Sequence, residues 1–362
     1  MGHSPEKIKL LITTQKVDID DSLLGFFHNW LEKFAKNFDL ITVICLKKGK
    51  YSLPNNVKVL SLGKEKLEIR NWKLEIFKKL KYLFNFFRYI LRERKNYDVV
   101  FVHMNPIYVI LGGWLWKSWN KKICLWFNHR YGSWTAKRAI KMANFVFYTS
   151  PFSFASKFKK AKIMPAGIDT EKFKSKVKSQ KSKVKNSILY LGRISPIKNL
   201  DILIQAVNLL DKQGINFILN IIGEPGEKDG EYFEKIKSLS KDLEAKEKIR
   251  FLREIPNYKA PEIYNQNEVF VNLTNPGSLD KTTLEAMACE TLTMVSNKSF
   301  YDVLPKELIF KERDAKDLAK KLESVFKWQA EDRKIIGRKL RDFVVKNHSL
   351  NKLILKIMDL IK

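Results

Sequence analysis

Ser187-Ile-Leu-Tyr-Leu191-Gly192-Arg193-Ile-Ser-Pro-Ile-Lys198-Asn199 is a short apolar run, a glycine turn and the opening of an amphipathic segment. Residues 187–191 are bulky and suited to a buried strand. Gly192 lets the backbone turn tightly. From Asn199 to about residue 210 the apolar residues recur at helical spacing. Strand, tight turn and helix together begin a βαβ unit.

Further along the chain, strands are predicted at 217–222, 249–252, 269–273 and 292–296. Helices are predicted at 232–243, 258–265 and 282–289. Helical stretches at 315–326 and 332–345 follow, and an amphipathic segment at 350–361 closes the chain. In the other direction, strands at 8–14, 40–46, 57–62, 98–103, 122–127 and 145–149 alternate with helical segments, including 23–36 and a long basic helix at 71–94. Alternating strands and helices imply parallel sheets covered on both faces.

The expected fold class is therefore α/β, with two Rossmann-like doubly wound domains facing a cleft. Residues 1–170 form the N-terminal domain and 188–345 the C-terminal domain. Between them, 171–187 is read as a Lys-rich linker or loop, because Lys174-Ser-Lys-Val-Lys178 is duplicated at Lys181-Ser-Lys-Val-Lys185 with almost nothing apolar to bury. Residues 346–362 are a C-terminal helix that can return to the first domain.

A chain of 362 residues accommodates two such domains, and 45% apolar residues suffice for packed cores. The formal net charge of +29 points to anionic partners: nucleic acid, anionic lipid or phosphorylated ligands. Cys45, Cys124 and Cys289 show no metal spacing and no disulfide framework, and are read as buried thiols in a reducing compartment. The N-terminus leads into a short strand, so no secretory leader is expected. The longest clean apolar run, 107–116, is about half of the ~20 residues a membrane span needs. A cytoplasmic protein is expected, docked peripherally at most on the inner face of the plasma membrane.

Ligands bind doubly wound sheets beyond the carboxyl ends of the strands, so the loops after strands carry the candidate residues. Arg193 presents a planar fork able to bind phosphate oxygens, and Lys198 adds a point charge near the helix start. As a bare pattern this is equally a surface loop with two solvated cations. The second candidate is Asn275-Pro-Gly277-Ser278-Leu279-Asp280-Lys281-Thr282-Thr-Leu-Glu285. Its backbone N–H groups at a helix start form an anion site, and Glu285, one turn in, can accept from ribose hydroxyls or simply suit the helix dipole.

Five pieces now stand in order: Pro165-Ala-Gly167-Ile-Asp169-Thr-Glu-Lys-Phe173, Gly192-Arg193 with Lys198, Ile222-Gly223-Glu224, Val269-Phe-Val-Asn272, and Leu284-Glu285-Ala-Met-Ala288. With them the second half resembles the nucleotide-binding domain of the retaining family-4 glycosyltransferases (glycosyl transferases group 1), which have the GT-B fold. The match runs from about residue 163 to 296. The first half is similar only in its pattern of elements.

The resemblance implies transfer of a sugar, with retention, from a nucleotide-diphosphate-sugar donor to a lipid-linked or polysaccharide acceptor. It implies no cofactor and no catalytic metal, the nucleotide sugar being a substrate. Diphosphate binding would fall on Arg193, Lys198, Gly277, Ser278, Leu279, Lys281 and Thr282, and ribose binding on Glu285. The family usually has a second acidic residue eight positions before that glutamate. Here the position is Gly277, which keeps open a nucleotide-binding protein without transferase activity and leaves Asp280 as an alternative sugar contact.

From the first half, His129 in Trp126-Phe-Asn-His129-Arg130 is the candidate catalytic residue, with His103 as its rival. Arg130 can reach phosphate. Gly25 stands in for the usual glycine-rich turn after the first strand. Asp21, with Asp18 and Asp20, can cap the first helix, bind acceptor hydroxyls or hold a metal, capping being the default.

In the basic helix, the stripe Ile76-Leu80-Leu83-Phe87-Ile90 is expected to face the core. That leaves Phe77, Tyr82, Phe86 and Tyr89 as spare aromatics among lysines and arginines, a composition suited to an anionic membrane surface. The rival class is a basic nucleic-acid-binding protein. No nucleic-acid motif is present and no aromatics interleave with the linker lysines, so nucleic acid is not the expected partner.

Overall fold

The structure, a computed structural model, describes residues 8–64, 72–175, 184–275 and 279–362. Most of the Lys-Ser repeat in the expected 171–187 linker lies outside the described residues, as do Gly277 and Ser278.

The chain divides into unit 1, residues 1–167 and 350–362, and unit 2, residues 168–349. Unit 1 runs β1 Lys9–Val17, α1 Gly25–Ala35, β2 Leu40–Lys48, β3 Val57–Ser61, α2 Trp72–Arg92, β4 Val99–His103, α3 Ile107–Ser118, β5 Lys122–Trp126, α4 Trp134–Met142, β6 Phe145–Tyr148 and β7 Ala161–Ile163. Among the described residues its sheet has the order β3-β2-β1-β4-β5-β6-β7, and the paired strands are parallel.

Unit 2 runs β8 Ser187–Leu191, α5 Leu200–Lys212, β9 Ile218–Ile222, α6 Gly230–Ala245, β10 Ile249–Leu252, α7 Ala260–Gln266, β11 Val269–Asn272, α8 Lys281–Ala288, β12 Leu292–Val295, α9 Ala315–Phe326 and α10 Ala330–His348. Its parallel sheet has the order β10-β9-β8-β11-β12. In each sheet the order reverses beside the first strand, between β1 and β4 and between β8 and β11. Those two switch points are where a doubly wound sheet opens a ligand crevice.

The central strands are buried along nearly their whole length; β4 and β11 are buried throughout. Their continuous apolar runs are what a sheet covered on both faces requires. In unit 1 the core lies in two layers. Leu11, Val100, Leu125 and Val146 pack with Phe86, Trp116 and Ile140. Leu10, Ile12, Phe101 and Trp126 pack with Trp30 and Phe34 of α1.

The last helix, α11 Leu350–Ile361, joins this second layer. Leu350, Leu353, Ile354, Ile357 and Ile361 are all buried there, a stripe at helical spacing. At 1.5–3 kcal/mol per buried aliphatic side chain, the stripe contributes roughly 10 kcal/mol of gross apolar burial, an upper bound. Lys122 Nζ donates to the Ile361 carbonyl at 2.6 Å, and Lys356 Nζ to the Ile163 carbonyl at 2.8 Å. Gly167 has φ +73°, and its carbonyl accepts from Trp30 Nε1 at 2.8 Å. A Cβ at this position would run into Trp30 and Leu353.

The expected core stripe of α2 is corrected. Phe86 and Ile90 face the core, whereas Ile76, Leu80, Phe77 and Phe84 are exposed. Of the stripe assigned to the core, Ile90 alone is fully buried. The helix carries two apolar stripes, and the one starting at Ile76 and Phe77 is not covered by the sheet. No helix among the described residues is long and apolar enough to cross a membrane.

Candidate active site

The switch point of unit 2 gathers two loops. The first leaves β8 at Gly192, whose N–H donates to the Ile222 carbonyl at 3.0 Å. Next to it, Gly223 leaves β9 with φ +148°, and a Cβ there would fall on the Gly192 carbonyl oxygen. Only glycine lets the two strand ends approach this closely. The chain then enters a single 3-10 turn, Pro196–Lys198, and reaches Asn199 in the left-handed region at φ 48°. Asn199 Nδ2 donates to the Leu273 carbonyl at 3.0 Å and to Asn275 Oδ1 at 3.2 Å, tying this loop to the one after β11.

Arg193 is exposed at the start of the first loop, and its carbonyl accepts from Tyr190 Oη at 2.7 Å. Lys198 Nζ reaches the second loop, donating to Asp280 Oδ2 at 2.6 Å and Thr274 Oγ1 at 3.2 Å. Asp280 Oδ2 also accepts from Asn272 Nδ2 and Thr274 Oγ1, each at 3.1 Å, and Oδ1 accepts from Thr282 Oγ1 at 3.0 Å. Burial alone would raise the Asp280 pKa, but the Lys198 charge and these hydrogen bonds hold it well below the usual carboxylate range. Asp280 stands at the start of α8, so Lys198 and the helix N-terminus converge on the same place.

Glu285 is buried one turn into α8. Its Oε1 accepts from Asn257 Nδ2 at 3.0 Å and its Oε2 from Tyr264 Oη at 3.4 Å. Burial pushes the Glu285 carboxyl upward in pKa and the Lys281 ammonium downward. His348, at the end of α10, is pushed down to about 4 by burial and by the Lys281 charge. Arg341 of α10 donates to the carbonyls of Phe173 at 2.9 Å and Thr170 at 3.0 Å, and to that of Ala288, locking the 170–173 turn against α8. Leu279 and Thr282, the other described residues expected at the diphosphate, are partly buried beside Asp280.

In unit 1, His129 follows β5 and lines a cavity of about 450 Å3 with Gln15, Met104, Asn105, Pro106, Phe127, Tyr131 and Ser133. Its ring leans on Phe127 at 5.1 Å, and partial desolvation lowers its pKa. Met104 holds φ 65° there, a left-handed conformation that costs a non-glycine residue roughly 1–2 kcal/mol. Such strain is concentrated at functional sites.

His103 is not brought to this cavity. It is buried, stacks on Phe27 at 4.3 Å and lies 3.2 Å from Thr14 Oγ1 through Nδ1. Arg130 is exposed, its guanidinium 5.4 Å from the Tyr131 ring centroid. Asp21 Oδ1 accepts from the N–H groups of Leu23 and Leu24, and Lys16 pairs with its other oxygen. Gly25 is buried in the first turn of α1, its N–H donating to the Asp21 carbonyl at 3.0 Å.

Sequence reasoning missed Asn257, Tyr264, Thr274, His348, Met104 and Asn105, and gave Asn272 no role beyond its place in Val269-Phe-Val-Asn272. The carboxylate partners lie up to 28 residues away with no motif spacing to announce them. Met104 and Asn105 were findable as the residues directly after a strand at the switch point.

Residues 171–343, just under half of the chain, match the family described as glycosyl transferases group 1. No curated protein matches the chain in sequence. Among solved structures, the chain is similar to HepE of Anabaena in complex with UDP and glucose, with 14% identity, TM-score 0.75 and coverage of 98% of this chain and 99% of that one. It is similar to sucrose-phosphate synthase from Thermosynechococcus elongatus, with 15% identity, TM-score 0.75 and coverage of 97% and 98%. A glycosyltransferase from Rickettsia africae gives 15%, 0.74, and 99% and 98%. At these identities the likeness shows the fold, which is that of the GT-B glycosyltransferases.

Proposed function

We propose, for a GT-B chain whose second unit matches the glycosyl transferases group 1, that the protein transfers a sugar from a nucleoside-diphosphate sugar to an acceptor hydroxyl. The observation that carries this is the convergence of Lys198 and the α8 N-terminus at the switch point between β8 and β11, with Arg193 on the same loop. Cations and helix-end N–H groups there suit a diphosphate both as ligand and as leaving group. Glu285 takes the ribose, and Leu279, Lys281 and Thr282 border the phosphates. Gly277 and Ser278 complete that loop in sequence. The anomeric C–O bond breaks with its electron pair going to the diphosphate, and the acceptor oxygen forms the new bond and gives up its proton to the departing diphosphate oxygen. Charge on the leaving group is met by side chains and the helix end, so the reaction is proposed to run without a catalytic metal. Retention of configuration follows the family-4 resemblance. Asp280 is assigned to holding Lys198, and His129 of unit 1 to the sugar.

The acceptor belongs with unit 1. α2 exposes Ile76, Phe77, Leu80 and Phe84 among lysines, and Trp114 of α3 and Trp134 of α4 are exposed as well. Their combination with a net charge of +29 supports peripheral docking on an anionic membrane, from the cytoplasmic side, and a lipid-linked acceptor.

The test is turnover of UDP-, GDP- and ADP-sugars with extracted membrane lipid as acceptor. Release of one nucleoside diphosphate with a product of retained anomeric configuration is expected. Nucleotide binding without turnover of any donor would leave a binding protein only.

A further inference from the structure

Tyr131 is 78% exposed, yet the loop that carries it is held on both sides. Before it, Asn128 Oδ1 accepts from the Thr149 N–H at 2.8 Å, and the His129 carbonyl accepts from the Phe154 N–H at 2.8 Å. After it, Gly132 lies so close to the Phe154 ring that a Cβ would overlap it. Ser133 Oγ then caps α4, accepting from the Ala136 N–H at 3.2 Å. The Arg130 guanidinium stands 5.4 Å from the centroid of the Tyr131 ring. A loop fixed in advance removes part of the ordering cost of binding.

The same ring lines the cavity of about 450 Å3 that holds His129. Gln15 and Asn105 bring two planar amides to that lining. Asn105 Oδ1 accepts from the Ile107 N–H at 3.2 Å, which settles which end of its amide donates. Among the described residues, the Gln15 amide and the His129 ring make no hydrogen bond within the protein. No lysine, arginine or carboxylate is among the described residues of the lining.

A hydrocarbon chain here would leave the amides and the imidazole without partners. A phosphate or carboxylate would meet no cation in the lining. A pyranose ring suits both kinds of wall. Its C–H face lies on the electron-rich face of an aromatic ring, and its hydroxyls, each donor and acceptor, match amides and an imidazole. We infer that this cavity holds the uncharged saccharide unit that receives the transferred sugar, stacked on Tyr131 and gripped through its hydroxyls by Gln15 and Asn105. This deepens the transferase reading and rests on it: the acceptor hydroxyl belongs to a neutral sugar ring, whatever that ring is linked to.

The test is saturation-transfer NMR on the full chain with the methyl glycosides of glucose, galactose, mannose and N-acetylglucosamine. Methyl glucuronide is the anionic control, and UDP, GDP and ADP are titrated in parallel by calorimetry. At least one neutral glycoside should bind in the millimolar range, with saturation strongest on the protons of one sugar face. The glucuronide should bind at least fivefold more weakly.

Tyr131→Ala should weaken the neutral glycoside at least fivefold, while Tyr131→Phe keeps it within twofold, because the ring and not its hydroxyl makes the contact. The Gln15→Ala, Asn105→Ala variant should lose about tenfold, the worth of two hydrogen bonds. Nucleotide affinity should stay within twofold in all three. No glycoside binding while a nucleotide still binds, or binding that Tyr131→Ala leaves unchanged, overturns the inference and leaves the donor reading standing. Displacement of the glycoside by UDP-, GDP- or ADP-glucose, but not by the matching diphosphate, assigns the cavity to the donor sugar and also overturns it. Glycoside binding that depends on Tyr131, with no nucleotide bound, supports the saccharide site and sinks the donor reading instead.

Discussion

Lys198 Nζ donates to Asp280 Oδ2 at 2.6 Å, joining the loop after β8 to the start of α8 across the switch point of the second sheet. The pair fixes a flexible side chain beside the helix N-terminus. Its depressed Asp280 pKa makes the link pH-dependent. A carboxyl whose folded pKa lies below its unfolded value of about 3.9 contributes stability above that pH and loses it as the pH falls toward the folded value. Asp280→Asn should cost about 1–3 kcal/mol at pH 7. Denaturant unfolding should show the difference shrinking below pH 4. A constant difference across that range would mean the pair is not its source.

Glu285 should read the sugar of the nucleotide. Its two oxygens already hold Asn257 and Tyr264, so a hydroxyl joins an oriented carboxylate. Wild type should prefer the ribonucleotide over its 2′-deoxy form by about tenfold, the worth of one hydrogen bond to a charged group. Glu285→Gln, which keeps an acceptor but not the charge, should narrow that preference severalfold. Titration with UDP and dUDP decides it, and an undiminished preference in the variant would place ribose recognition elsewhere.

His348 should make the apo protein acid-sensitive. An imidazole held down to about 4 binds its proton more readily when unfolded, so stability is present above the unfolded value of about 6.5 and falls as the pH drops toward 4. The loss is of order 3 kcal/mol. Melting curves of His348→Gln between pH 7 and 4 should be flatter than those of wild type, and parallel curves would refute the assignment.

Phe77 and Phe84, 74% and 66% exposed on α2, are expected to meet lipid. A Phe77→Glu, Phe84→Glu variant should lose at least tenfold in cosedimentation with anionic vesicles and melt within a degree or two of wild type, since it removes no core contact. Unchanged vesicle binding would remove α2 from the docking surface.

Much of the fold was legible because buried parallel strands announce themselves. Ser187–Leu191 and Ile249–Leu252 stand where the sequence places them, and so does the stripe of α11. Ala161–Ile163 escaped because three residues carry no periodicity. The face of α2 was misread because helical spacing identifies stripes without saying which one the sheet covers: Phe86 and Ile90 point inward, while Ile76 and Leu80 do not. Of the candidate site, Arg193, Lys198 and Glu285 could be singled out because chemistry and spacing coincide after strands. Asn257 and Tyr264 could not, because a neutral amide and a phenol 28 and 21 residues from Glu285 acquire their meaning only when α7 packs by α8.

The most direct measurement is calorimetric titration of the protein with UDP, GDP and ADP, beside an Arg193→Ala, Lys198→Ala variant. Micromolar binding of one of the three, weakened at least a hundredfold in the variant by loss of two charge-assisted contacts, is the predicted result. No nucleotide binding, together with DNA or RNA binding that falls steeply with salt, would contradict a diphosphate site at this switch point and turn the excess charge toward nucleic acid.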